Sequence, residues 1–142
     1  MNVLLVILLS SFFFPPAALS TQQKIVTAAQ VNGTWESKLG TFKIWALGEG
    51  KLKVEFSGIY PYRWADGTRL ANTGEGRGTA MIEGRRAIFR PEAAEDGCEI
   101  TMDFVGGGLA VRQEGTCGFG HNVTAAGKYR RTSARRPKFE QD

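Results

Sequence analysis

The chain predicts a small all-β fold: an antiparallel meander that closes into a barrel or a flattened sandwich of about eight short strands. Three observations point there. Apolar and polar residues alternate with a period of two in one segment after another, and no helical 3.6 period persists over ten residues. Glycine-centred turns separate these segments at hairpin spacing, and closure removes strand edges that would otherwise invite aggregation. The two cysteines, Cys98 and Cys117, bracket the clearest hairpin.

The elements follow in order. An apolar run from Val3 to Phe14 is broken by Pro15-Pro16, and Ala18-Leu19-Ser20 supplies the small residues of a cleavage site. About a dozen apolar residues are too few to span ~30 Å of hydrocarbon, so residues 1–20 read as a signal peptide. The expected location is periplasmic or secreted. The expected domain covers residues 21–131, and residues 132–142 are expected to be a basic, disordered tail.

After a short lead with room for one helical turn, residues 31–38 open the body with Gly33-Thr34-Trp35, and Leu39-Gly40 turns the chain. Residues 41–47 place Phe42, Ile44 and Ala46 on one face against Lys43 and Trp45. Gly48-Glu49-Gly50 makes a loop, and residues 51–59 alternate Leu52, Val54 and Phe56 with Lys51, Lys53, Glu55 and Ser57. Residues 60–77, with Pro61, Asp66-Gly67 and several glycines, read as one long irregular region holding a short strand within 68–72. Residues 78–83 and 86–90 form a hairpin around Gly84-Arg85, and a polar loop follows.

In the cysteine hairpin, a two-residue turn at Gly107-Gly108 pairs Phe104 with Val111, Asp103 with Arg112, and Cys98 with Cys117. That register places Cys98, Ile100, Met102 and Phe104 on one face with Val111, Gln113 and Cys117. Directly paired strand residues sit close enough for a disulfide, which stabilises by about 3 kcal/mol for a loop of this size. The alternatives are two free thiols or a metal site, and a metal needs more ligands than two cysteines and the lone His121. Neither a metal nor a cofactor is expected. A turn over residues 117–122 leads to a closing strand over 123–131. With strands this short, side chains are expected to fill the interior.

The formal charge is +4, and residues 128–142 carry all of it: Lys128, Arg130, Arg131, Arg135, Arg136 and Lys138 against Glu140 and Asp142. The body is neutral. Such a tail suits weak contact with an anionic envelope surface.

Two pieces resemble known families. The run Cys98-x-Ile100 through Cys117-Gly118-Phe119-Gly120-x-Asn122-Val123, then Gly127-x-Tyr129, resembles a signature of small exported bacterial β-barrel domains of mostly unassigned activity. Gly33-x-Trp35 with Arg130 or Arg131 is similar to the lipocalin arrangement, which implies a tryptophan closing one barrel end under an arginine. The opening residues 33–44 also look like the first strands of avidins, but Trp35, Trp45 and Trp64 are the only tryptophans, and the later ones of a biotin site are missing. Periplasmic lysozyme inhibitors are similar in architecture alone, which transfers no function.

No G-x-S-x-G, H-E-x-x-H, P-loop or clustered carboxylate pair occurs, so the chain is not expected to be an enzyme. The most suggestive constellation is Tyr60, Tyr62, Arg63, Trp64 and Arg69, because aromatic residues and arginine dominate binding hot spots. His121 and Asn122 sit in a glycine-rich turn, as turn formers or as a second part of a site. The expected role is non-catalytic binding of a protein, including a hydrolase to be inhibited, or of an anionic envelope glycan. Nucleic acid is not an expected partner, and the chain is expected to be a monomer. The alternative is a lipocalin-like carrier, whose cavity would be lined by Phe42, Val54, Phe56 and Phe104.

Overall fold

The computed structural model describes residues 26–95 and 97–140. The signal peptide expected over residues 1–20 lies outside them. A single helical turn, α1 (Ala28–Val31), is capped by Thr27, whose N–H donates to Gln30 Oε1 at 2.9 Å. Eight strands follow: β1 (Gly33–Glu36), β2 (Gly40–Gly48), β3 (Lys51–Arg63), β4 (Arg69–Glu83), β5 (Arg86–Phe89), β6 (Glu99–Val105), β7 (Gly108–Glu114) and β8 (Gly127–Ser133). Each pairs antiparallel with its chain neighbours, and β1 pairs with β8, so the sheet is a closed barrel.

The period-two alternation builds the core. Phe42 and Ile44 from β2, Leu52, Val54 and Phe56 from β3, Ile100 and Met102 from β6, and Leu109 from β7 all point inward and are buried. Each large side chain removed from water contributes about 1.5–3 kcal/mol before entropy is counted. Phe42 packs on Phe56 with ring centroids 4.8 Å apart, so the side chains named as markers of an open cavity fill the interior instead.

Different devices close the two barrel ends. At the α1 end, Trp35 Nε1 donates to the Val31 carbonyl at 2.9 Å, and the Trp35 ring meets Phe104 edge-on at 5.6 Å. Arg131, not Arg130, lies over Trp35 at 5.6 Å and donates to the carbonyls of Ala29 and Asn32 at 2.6 and 3.2 Å. At the other end Phe119 plugs the opening, packed on Phe56 at 4.9 Å. It fits because β4 carries glycine at alternate inward positions. A Cβ on Gly76 would stand 2.5 Å from the Phe119 ring, and one on Gly74 would overlap the Phe119 carbonyl. The Cys98–Cys117 disulfide, with Cα atoms 4.9 Å apart, ties the plug segment to the start of β6.

The hairpin register differs from the expected one by two residues. Gly106-Gly107 makes the turn, both at positive φ, and Phe104 pairs with Leu109 and Met102 with Val111. A shift of two preserves which residues share a face, so the sorting of side chains is unchanged. It does break the expected Asp103–Arg112 pairing. Asp103 binds Arg86 of β5 through 2.8 and 3.3 Å contacts, with Arg112 further off at 3.7 Å. The cysteines then meet just beyond the paired residues, where Gly115 at φ +71 brings the chain close against Gly97.

Two further expectations change. Residues 60–77 are not irregular: they are the end of β3 and most of β4, joined by a tight turn. The tail described through Glu140 is not a solvated end, because Pro137 and Phe139 are buried against the barrel.

Two measurements check this account. Gly74→Ala forces Phe119 off β4 and costs about 1–3 kcal/mol, read as a lower urea midpoint at unchanged slope; a neutral result would mean the plug is not seated there. Burial pushes the Tyr129 phenol up to about 12, against a smaller lowering by a Ser37 hydrogen bond. Since the neutral form is the one that fits, this stability is intact below the ordinary value of 10.0 and is lost as pH rises toward about 12. Tyr129→Phe, measured by urea titrations stepped across that window, removes this part of the alkaline decline.

Candidate functional site

The β3–β4 pair outruns the barrel. Its register is unbroken from Lys51↔Met81 to Arg63↔Arg69, whereas β2 leaves β3 at Gly58 and β5 pairs β4 only from Ala80 to Glu83. Residues 59–63 and 69–73 therefore form a two-stranded ribbon projecting from the plugged end. Its tip is held by short-range bonds. The Trp64 N–H donates to the Thr68 carbonyl at 2.8 Å, and the Gly67 N–H to the Trp64 carbonyl at 2.9 Å. Asp66 Oδ1 accepts the Thr68 N–H at 2.8 Å, and the hydrogen bonds from the Thr68 side chain and backbone hold its carboxyl below the usual range. Arg63 reaches over the turn to the Gly67 carbonyl at 3.3 Å.

Strand parity splits the predicted constellation between two faces. Tyr60 pairs with Asn72 and Tyr62 with Leu70, which makes one face aromatic and apolar. Ile59 pairs with Thr73, Pro61 with Ala71, and Arg63 with Arg69, which puts the two arginines side by side on the other. Trp64 stands at the tip, 61% exposed. Single exposed apolar residues are ordinary, but these are not scattered. Ile59, Tyr60, Trp64 and Leu70 are four of the eight exposed large hydrophobic residues among the described residues. A fifth, Leu39, sits at the ribbon base, its carbonyl accepting the Ile59 N–H at 2.8 Å.

The arginine pair is locally unfavourable. Like charges directly opposed across strands destabilise, and neither guanidinium has an ion-pair partner among the described residues. This charge is presented to solvent.

His121 and Asn122 are brought to the same end. The Asn72 side chain donates to the His121 carbonyl at 2.8 Å, and Asn122 adopts φ +61 in the turn beneath. The His121 imidazole is exposed, and its backbone makes the contact. Asn72 was not singled out in the sequence, and no local signal marks it, since its partner lies 49 residues away.

Away from the ribbon, a cleft of about 360 Å³ beside the disulfide is bordered by Lys43, Glu55, Glu75, Arg77 and Glu92. A cleft of about 310 Å³ at the α1 end is bordered by Trp35, Phe104, Arg85 and Arg131, but Arg131 is already committed to the α1 carbonyls. Among the described residues, no group of three His, Cys, Asp or Glu side chains is arranged to hold a metal ion.

Charge reversal on the ribbon tests its construction. Arg69→Glu turns a repulsive cross-strand pair into an attractive one and should raise stability by about 0.2–1 kcal/mol, while Trp64→Ala should change it by less than ~0.5 kcal/mol. Thermal melts of both variants check this, and a large loss in either would make the ribbon a structural element. No protein-family model, curated protein or solved structure matches this chain.

Proposed function

We propose that this is an exported, non-catalytic binding domain whose β3–β4 ribbon enters a groove on a partner protein, in the periplasm or outside the cell. The observation that carries this reading is the exposed Tyr60 and Leu70 on one face, with the exposed Trp64 at the tip, of a ribbon that contributes nothing to the core. Contiguous exposed apolar surface marks interaction sites. Tryptophan, tyrosine and arginine are also the residues that most often carry interface energy. A filled barrel makes a rigid mount for such a probe.

Charge narrows the partner. Arg63 and Arg69 stand together at the tip without acidic partners among the described residues, so a complementary groove presents carboxylates beside an apolar floor. The substrate cleft of a hydrolase that uses paired carboxylates has this character, and a ribbon lodged in it would inhibit the enzyme. The disulfide is compatible with the oxidising compartment that this reading requires.

The mature protein, cross-linked in an envelope or culture extract of its own host, should capture a protein whose affinity falls about thirty-fold or more with Trp64→Ala or Arg63→Ala. If both variants retain full affinity for that protein, the ribbon is not the site. Recovery of a tightly held small molecule in native mass spectrometry would favour the carrier alternative.

A further inference from the structure

Most cations of the C-terminal segment lie on one side of the barrel. From the end of β8 the chain crosses β2 to β3. Arg136 lies over Trp45 at 5.7 Å, Phe139 is buried with Lys53 over its ring at 4.5 Å, and the Glu140 N–H donates to Glu55 Oε2 at 3.0 Å. This strap holds Arg135, Arg136 and Lys138 exposed on the outer surface. The outer faces of β8, β1, β2 and β3 are consecutive around the barrel, and they add Lys128, Arg130 and Lys51.

Four acids share this side among the described residues, Glu36, Glu49, Glu55 and Glu140, and they are outnumbered by the cations. Glu55 is taken by Lys43 at 2.5 Å, and Glu36 stands in register with Arg130 but forms no ion pair among the described residues. Lys51, Lys128, Arg130, Arg135 and Lys138 likewise form no ion pair among the described residues. The opposite side differs: there Arg86 pairs with Asp103 and Arg90 with Glu99. The cationic side also exposes apolar surface, in Leu47 at 55% and in the half-buried indole of Trp45 two residues before it.

We propose that this face docks on an anionic lipid bilayer, its lysines and arginines against headgroup phosphates and Trp45 and Leu47 at the interface. Basic side chains near an anionic leaflet bind it electrostatically, and tryptophan favours the headgroup level. A soluble polyanion would use the charges but gain little from the apolar pair. The strap matters because it fixes the cations on a rigid surface instead of leaving them on a free chain. This surface is separate from the ribbon.

Cosedimentation of the mature protein with vesicles tests it. Equal parts of phosphatidylglycerol and phosphatidylcholine should bind the protein, phosphatidylcholine alone should not, and added salt should weaken binding. The variant carrying Lys51→Gln, Arg130→Gln, Arg135→Gln and Lys138→Gln should lose about five-fold in partition for each charge removed. Leu47→Ser should weaken binding several-fold at unchanged charge, and Phe139→Ala should weaken it by freeing the strap, while Trp64→Ala leaves it intact. Binding that ignores phosphatidylglycerol, or that is lost with Trp64→Ala and kept by the four-charge variant, overturns the proposal. Equally tight binding to soluble polyphosphate, with no effect of Leu47→Ser, would assign the face to a polyanion instead.

Discussion

Much of this molecule depends on one steric fit, the seating of Phe119 against a strand with no side chains at the points of contact. Gly74 and Gly76 leave β4 bare where the plug segment crosses it. Glycine in a strand normally weakens it, since it packs nothing and loses more entropy on ordering. Here the missing side chains let a second backbone approach and an aromatic ring fill the barrel end. The disulfide anchors the same segment from its other side. With that end sealed, β3 and β4 can continue past the barrel without exposing its interior.

What could be read from the residues follows from where hydrophobic burial acts. Strands with one buried face, such as β2, β3 up to Phe56, and β6, announce themselves by alternation. The ribbon has no buried face, so residues 59–73 lack that signature, and Pro61, Asp66 and the glycines of β4 read as loop. Three consecutive glycines at 106–108 leave two turn placements open, and the choice depends on how the chain passes Gly97 and Gly115, a contact invisible locally. The seating of Phe139 was likewise hidden, because one phenylalanine in a basic run carries no period. The constellation of Tyr60, Tyr62, Arg63, Trp64 and Arg69 was visible as composition, but its division into an apolar and a cationic face needed the strand register.

The molecule keeps its two candidate surfaces physically distinct. The ribbon relies on apolar area concentrated on a thin element, with only two cations near its tip. The strap face relies on many cations spread over a broad, stiff wall, with little apolar area. The first kind of surface suits a shaped cavity, and the second suits an extended anionic plane and is the more sensitive to salt.

The seam between β1 and β8 has a consequence for how the fold is reached. Thr34 near the start of the barrel pairs with Ser133 near its end, so the last contacts to form span almost the whole described chain. Hairpins such as β2–β3 and β6–β7 can form early, because their turns bring neighbours together over short loops. Closure must wait for the final strand. A chain that emerges gradually therefore holds an open sheet with two unpaired edges until β8 has been released. That interval is when this protein most needs protection from its own copies.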